Sequence, residues 1–383
     1  MAKKLQENSL SKHPIKDAIM IKRPIKIQNL FLLSILVASL TSCSLGRFIV
    51  YNFADAKDHK KFPNRVLEKP ETSFHFAARP NKTSPAMDSF EYALAENKTL
   101  AFLVIRNDTI TYEKYFNKYD SASIVPSFSM AKSILSILIG CAIEEGLIDS
   151  IEEPMTNYVP ELKKNGFDKV TIKHLLQMTS GLKFNEGYFN PFGHVATFYY
   201  GLNLRRQIKH LKLKQAPGQS MEYVSGNTQL LGLVLERALD GKQLTTYLQE
   251  KLWTPLGMEY DASWSIDRKK NGLEKAFCCI NARARDFAKI GRLYLNKGNW
   301  EGTQIVSEEW VRASTKYDNS EGGYNGYQYQ WWIPTANGDF MAQGVLGQYV
   351  YVHPKKNLIV VRLGKNYGKL NWRNIFLQIA AGT

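Results

Sequence analysis

Ser129-Met130-Ala131-Lys132 places a hydroxyl and an amine three residues apart. On a helix, residues at that spacing share a face, so the Lys132 amine can approach the Ser129 hydroxyl. A serine at a helix start also gains from free backbone N–H groups and the helix dipole, both of which favour developing negative charge. The hydroxyl becomes nucleophilic only with a base beside it. A lysine serves as that base when burial or nearby cations bring its pKa toward neutrality. Between Asp120 and Glu144, Lys132 is the only charged residue, and the run that follows it is rich in Ile and Leu. A surface Ser/Lys pair is the plain alternative, and the four-residue pattern alone does not exclude it.

Two further segments could complete such a site. Tyr223-Val224-Ser225-Gly226-Asn227 follows Ala216-Pro217-Gly218 and precedes an apolar helix. A tyrosine with a hydroxyl or amide beside it can relay a proton and donate a hydrogen bond. A capped turn before a helix is the ordinary explanation of the same residues. Gly344-Val345-Leu346-Gly347-Gln348 opens a strand, where glycines let a carbonyl group come close to backbone N–H donors. A bulge or tight bend would also account for them.

The elements that must carry these residues follow from periodicity. Thr99–Arg106 and Thr109–Phe116 read as strands joined by the turn Asn107-Asp108, and Ser129–Leu147 as an apolar helix with Gly146 near its end. The middle of the chain, about 150–320, is mostly helical in pattern, for example at Val170–Met178, Thr228–Leu239 and Ala284–Leu295. Strand patterns return at Tyr327–Ile333, Phe340–Gln343, Gln348–His353 and Leu358–Leu363, with Pro354-Lys355-Lys356-Asn357 as a turn, before a last helix over Trp372–Ala380. The expected fold is therefore α/β of the α+β kind. An antiparallel sheet is built from both ends of the chain and flanked by helices, with a mostly helical inserted subdomain.

The order and spacing of these motifs resemble the serine hydrolases of the class C β-lactamase and penicillin-binding-protein superfamily, from about residue 85 to the C-terminus. Thr171–Leu182, with His174-Leu175-Leu176 and Thr179-Ser180-Gly181-Leu182, is similar to that family's HLL-x-x-TSGL segment. Tyr223-Val224-Ser225 matches its Tyr-x-Asn or Tyr-x-Ser, and Pro255-Leu256-Gly257-Met258 its PLGM turn. The resemblance implies that Ser129 is the acylated nucleophile, Lys132 its base or base-orienting partner, Tyr223 the proton shuttle and Ser225 a partner of Lys132 or substrate. It implies an oxyanion hole from the Ser129 N–H with that of Gly347 or a neighbour. Asn227, Gly344 and Gln348 are candidate substrate contacts. Where β-lactamases and DD-peptidases carry Lys-Thr-Gly or His-Thr-Gly, this chain has Gly344-Val345-Leu346, without cation or hydroxyl. A pocket lacking that charge has less reason to prefer a β-lactam or a peptide C-terminus. The pattern is closer to the esterase and 6-aminohexanoate-dimer hydrolase branch, which Glu186-Gly187-Tyr188-Phe189-Asn190-Pro191 also resembles. There a tyrosine near this position contacts the scissile amide, which makes Tyr188 a candidate substrate residue.

The function expected is thus an envelope-anchored serine hydrolase cleaving an ester or amide, with no metal or organic cofactor. A penicillin-recognising DD-peptidase or β-lactamase is the rival reading. A non-catalytic envelope-binding lipoprotein that keeps the fold is the other. His174 lies within the TSGL segment and reads as structural, and no metal-ligand or phosphate-loop spacing is present. Trp331-Trp332 reads equally as core or as substrate wall.

The first forty-three residues carry an address. Lys22, Arg23 and Lys26 precede the apolar run Leu30–Leu40, which is short for a bilayer span of roughly 20 residues. Leu40-Thr41-Ser42-Cys43 resembles the bacterial lipobox, which implies cleavage before Cys43 and lipidation of its thiol. An uncleaved anchor helix running on through Phe48–Tyr51 is the alternative, interrupted by Gly46 and Arg47. The expected organisation is a signal peptide over 1–42, a polar, Pro-punctuated tether over 43–85 and one hydrolase domain over 86–383. Its partners are a small-molecule or peptide ester or amide and, through the lipid, a membrane, with the protein lying in the cell envelope.

Composition agrees with a large folded enzyme. Of 383 residues 44% are apolar and 22% charged, which excludes a mainly disordered chain. The net charge is +15, of which residues 1–42 hold +5. The cluster Arg205, Arg206, Lys209, Lys212 and Lys214 reads as a solvated face, and nucleic acid is an unattractive partner for an exported protein. Four cysteines (Cys43, Cys141, Cys278, Cys279) are too few for a disulfide scaffold. Cys278 and Cys279, being adjacent, are expected as free buried thiols, like Cys141.

Overall fold

The run Thr99–Arg106 has no polar face, and the computed structural model, which describes residues 44–382 other than 52, 82, 83 and 189, supplies the reason. Leu103 and Ile105 point into one apolar core, and Phe102 and Val104 into a second on the other side of the sheet. A strand covered on both faces loses its alternation and reads as a continuous apolar stretch.

In chain order, the elements that build and brace the site begin with helix α1 (Ser44–Tyr51), strands β1 (Asn64–Leu67) and β2 (Ala77–Ala78), and helix α2 (Pro85–Glu96). Strands β3 (Thr99–Arg106), β4 (Thr109–Tyr115) and β5 (Val125–Pro126) lead into the helix α3 (Met130–Glu144). The middle supplies α4 (Ile172–Leu176), α5 (His194–Tyr200), α6 (Ser225–Ala238), strands β6 (Ala262–Ser265) and β7 (Ile280–Ala282), and α7 (Ala284–Leu295). Strands β8 (Tyr327–Gln328), β9 (Trp331–Trp332), β10 (Phe340–Gly344), β11 (Gln348–His353) and β12 (Leu358–Gly364) and helix α8 (Trp372–Ala381) close the chain.

The main sheet has eight strands in the order β8-β9-β10-β11-β12-β3-β4-β2. Its centre joins the two ends of the chain, because β12 pairs antiparallel with β3, Val360 opposite Val104. All its neighbours are antiparallel except β2 and β4. One face carries α3 and α7; the other is covered by α2 and α8 through Leu94, Trp372 and Phe376. This is the split α+β architecture the sequence leads one to expect.

Three details differ from the sequence reading. The middle of the chain is less purely helical than its pattern. Strands β6 and β7 lie between β1 and β5 in a four-stranded sheet, order β1-β6-β7-β5, that draws on residues far apart in sequence. The expected strand Tyr327–Ile333 is broken into the hairpin β8–β9, with Tyr329 and Gln330 at positive φ between its arms. Most of the stretch expected as a tether is packed on the domain from α1 onward. There β1 pairs with β6, β2 pairs with β4, and Phe62, Leu67 and Phe76 are buried. Cys43 and the apolar run before it lie outside the described residues. Among those described, no helix is long and apolar enough to cross a membrane.

Candidate active site

Ser129 caps the N-terminus of α3, where the chain leaves β5. The approach is fixed from both sides: Ser127 N–H donates to the Ile280 carbonyl at 2.7 Å, and Ile280 N–H donates to Ser127 Oγ at 3.1 Å. Phe128, directly before the serine, sits at φ +44°, a conformation that only a well-packed surround holds for a bulky residue. The turn thus presents the Ser129 hydroxyl at the helix start.

Lys132, one turn on, is 1% exposed. Its Nζ donates to Ser129 Oγ at 3.0 Å, Ser225 Oγ at 3.1 Å and the Phe277 carbonyl at 2.8 Å. Three acceptors use all three ammonium protons and aim the nitrogen at the serine. Burial lowers the lysine pKa from 10.5 to about 8, and the Glu186 carboxylate acts in the opposite direction. A fraction of this lysine is therefore neutral near pH 7 and can accept the serine proton.

Ser225 opens α6 and connects the lysine to that carboxylate. Its hydroxyl donates to Glu186 at 2.6 Å and its N–H donates to the same side chain at 2.8 Å. With its one proton given to Glu186, the Ser225 oxygen turns a lone pair toward Lys132. Tyr223, two residues earlier, shares a hydrogen bond with Ser129, and burial pushes its hydroxyl up, so it stays a proton donor near neutral pH. The Tyr223 ring lies 5.3 Å from Lys132 Nζ and is flanked by Trp332 at 5.4 Å and Tyr327 at 5.7 Å. Trp331 is core, stacked at 4.4 Å on Tyr294, while its neighbour Trp332 backs the tyrosine.

The HLL-x-x-TSGL segment props this turn. Glu222 N–H donates to the Met178 carbonyl and Gly218 N–H to that of Thr179, and the Ser180 hydroxyl donates to Asn227 Oδ1. His174 is structural, as expected: with Thr171 it closes a capping box on α4.

The candidate residues separate once they are placed. Ser129, Lys132, Tyr223 and Ser225 come together, and Tyr188 joins them across the cavity mouth, its hydroxyl 3.0 Å from Glu186. Gly344 reaches the Ser129 turn: a Cβ there would press on the Ser127 carbonyl oxygen and lie 3.1 Å from the Ser129 nitrogen. Three other candidates are placed outside the cavity lining. Asn227 is 1% exposed and held by Ser180 and Met178. Gln348 is buried and paired with the backbone of Gly364 through both ends of its amide. Gly347, at φ +79°, packs on Arg362, which donates to its carbonyl at 2.6 Å, and a Cβ there would meet the guanidinium at 2.0 Å. It is Val345 and Leu346, not Gly347, that line the cavity beside Ser129.

The cysteine expectation is overturned. Cys278 and Cys279 are joined by a disulfide, and among the described residues Cys141 is the free thiol, buried as expected. The bridged pair follows Phe277, whose carbonyl holds Lys132, and Cys278 contributes to the cavity wall.

That cavity measures about 310 Å³ and is lined largely by apolar groups, among them Phe128, Val195, Ala196, Phe277 and Leu346. Among the described residues, no Lys, Arg, Asp or Glu lines it. Spacing did not single out Glu186, Phe53 or Ala54. Glu186 had one signal, its position two residues before Tyr188. The other two come from a segment far from any motif and reach the cavity only through folding.

This arrangement is that of a beta-lactamase-fold serine hydrolase, and comparison with known proteins agrees. The family model for beta-lactamase matches residues 88–369, and the chain belongs to that family. It is 28% identical over 316 residues to the 6-aminohexanoate-dimer hydrolase of Paenarthrobacter ureafaciens, covering 77% of this chain and 79% of that protein. A solved structure from Bacillus anthracis, described as a candidate 6-aminohexanoate-dimer hydrolase, superposes with a TM-score of 0.74 at 25% identity, over 85% of this chain and 92% of that one. A family VIII carboxylesterase shares the fold, with a TM-score of 0.60 at 17% identity over 77% of this chain and 94% of its own.

Proposed function

We propose that this chain is an envelope-anchored serine hydrolase that cleaves an uncharged ester or amide through an acyl-enzyme on Ser129. The observation that carries the reading is the 3.0 Å contact between Ser129 Oγ and a fully buried Lys132 amine. Neutral Lys132 takes the hydroxyl proton while Oγ bonds to the substrate carbonyl carbon, and the backbone N–H of Ser129, at the helix start, is the group available to stabilise the resulting oxyanion. Collapse of the tetrahedral adduct breaks the bond to the alcohol or amine, which leaves with a proton passed through Tyr223. Water activated by the same pair then attacks the acyl-enzyme, releasing the carboxylic acid and free Ser129.

The apolar, charge-free lining supports an uncharged acyl group. The relatives support both bond types, since one is named for an amide dimer and another as a carboxylesterase. Lipidation of Cys43 is supported by Leu40-Thr41-Ser42-Cys43 after a basic, then apolar, leader. No metal or organic cofactor enters this mechanism.

The test is mass spectrometry of the full chain after exposure to a fluorophosphonate and, separately, to a penicillin, together with p-nitrophenyl ester turnover. The expected result is a fluorophosphonate adduct on Ser129 and turnover lost in Ser129→Ala. Substantial turnover by Ser129→Ala overturns the nucleophile. Penicillin acylation of Ser129 at low concentration replaces the reading with a penicillin-recognising one. A folded protein left unlabelled by the fluorophosphonate points to a non-catalytic lipoprotein.

A further inference from the structure

The segment after Cys43 is part of the cavity. Residues from Ser44, next in sequence to Cys43, are helical in α1, which packs on α5, the helix that supplies Val195, Ala196, Tyr199 and Tyr200 to the wall. Phe48 meets the Tyr200 ring edge-on at 5.2 Å, and Phe62 meets that of Tyr199 at 5.0 Å. The Tyr199 hydroxyl donates to Asp58. Buried Lys275 closes the contact, its Nζ 3.2 Å from the Phe62 ring centre and 2.6 Å from the Tyr199 carbonyl oxygen. Phe53 and Ala54 then line the cavity themselves.

The outer side of this segment is apolar. Ile49 is 64% exposed and Val50 50%, both in the last turn of α1, and Phe53, just beyond the helix, is 48% exposed. Tyr188, which lines the same cavity, is 41% exposed, and its loop also carries Phe192 at 76%. Large apolar side chains exposed together around an opening mark an interaction surface. The eight described residues of α1 span about 12 Å, and Phe53 and Ala54 of the cavity lining follow its end by two and three residues.

Resting on the lipoprotein and hydrolase reading above, we propose that the rim formed by Ile49, Val50, Phe53 and Phe192 seats in the phospholipid leaflet that holds the Cys43 lipid. The cavity of Ser129 then opens at the bilayer surface and takes acyl esters or amides partitioned there. With α1 directly following the anchor, a lipid on Cys43 brings this rim to the leaflet rather than leaving the domain on a free tether. Aromatic and aliphatic side chains at such a depth sit at the headgroup–acyl boundary.

The test uses the full chain in phosphatidylethanolamine/phosphatidylglycerol vesicles containing brominated lipid, with an environment-sensitive fluorophore at Val50→Cys. A second sample carries it at Tyr92→Cys, on α2 across the main sheet. Palmitate labelling of Cys43 is read in parallel. The expected result is about twofold or greater quenching at 50 and almost none at 92, with a labelled Cys43. A labelled, vesicle-bound chain that is not quenched at 50 overturns the proposal and leaves the anchor intact. A chain neither labelled nor quenched loses both, whereas quenching without label keeps the lipid-seated rim and removes the anchor. Ile49→Ser/Val50→Ser is expected to keep p-nitrophenyl acetate turnover in detergent and to lose about fivefold of its turnover of a vesicle-held decanoate ester. Equal turnover of the decanoate by both forms also counts against the proposal.

Discussion

Replacing Glu186 by glutamine tests the electrostatic account of Lys132. Glutamine keeps an oxygen to accept from the Ser225 hydroxyl and removes the negative charge, together with the second oxygen that accepts from the Ser225 N–H. Two consecutive hydrogen bonds, 3.1 Å from Lys132 Nζ to Ser225 Oγ and 2.6 Å on to Glu186, place that charge within about 6 Å of the amine. At an effective dielectric constant of about 20 the attraction is roughly 3 kcal/mol. Glu186 is half-exposed, and solvent screening reduces this to about 1 kcal/mol, or just under one pH unit. Because the carboxylate raises the lysine pKa, its loss lowers it, from about 8 toward about 7. The assay is the second-order rate of Ser129 acylation by a fluorophosphonate between pH 5.5 and 9.5, each enzyme normalised to its own high-pH plateau. The wild-type rate should rise with pH and bend near 8; in Glu186→Gln the bend moves down. The normalised rate at pH 7 should then rise from about a tenth to about a half of plateau. A bend that stays put or moves upward refutes the argument, and a wild-type profile flat across this range removes Lys132 as the group whose deprotonation governs acylation.

Three other outcomes follow from the same geometry. Lys132→Met should abolish acylation. Folding depresses the lysine pKa to about 8 from 10.5, so the cost of burying the charged amine is full below pH 8 and is relieved as pH rises to 10.5. The stability of wild type relative to Lys132→Met should therefore rise by roughly 3 kcal/mol across that window in urea unfolding, and a flat or falling difference contradicts the burial account. Gly344→Ala should slow acylation by about a hundredfold and destabilise by about 1–3 kcal/mol, because its Cβ would press on the Ser127 carbonyl and the Ser129 nitrogen; wild-type rates in this variant would show the strand is not the wall of the site. In denatured, unreduced protein, iodoacetamide should alkylate Cys141 and spare Cys278 and Cys279 until a dithiol is added. A peptide mass carrying two alkyl groups at 278 and 279 without reduction would refute the bridge.

Much of the site was legible because its key pairs are local. Ser129 and Lys132 share one helical turn, Tyr223 and Ser225 one capped turn, and short-range geometry fixes each pair without the rest of the fold. The strands Thr99–Arg106, Phe340–Gly344 and Leu358–Gly364 were legible as well, since burial on one or both faces leaves a strong apolar pattern. The hairpin at 327–332 was not, because its break depends on Gln330, whose side chain bonds the Leu175 and Leu176 carbonyls and Thr228. Those partners lie about a hundred or more residues away, and periodicity does not register them.

The sequence by itself placed Ser129 and Lys132 on one helical turn, Tyr223 and Ser225 on one capped turn, and the strands of the split sheet at both ends of the chain. Each of these is a matter of residue type at short spacing or of repeating burial. Only the tertiary structure decided that Gly344 abuts the Ser129 turn while Gly347 serves Arg362, that Glu186 reaches Lys132 through Ser225, and that Asn227 and Gln348 belong to the fold. It alone showed that Phe53 and Ala54 line the cavity and that Phe48 and Phe62 pack against its Tyr200 and Tyr199. These are contacts between segments distant in the chain, and their identity is set by how the sheet and helices pack.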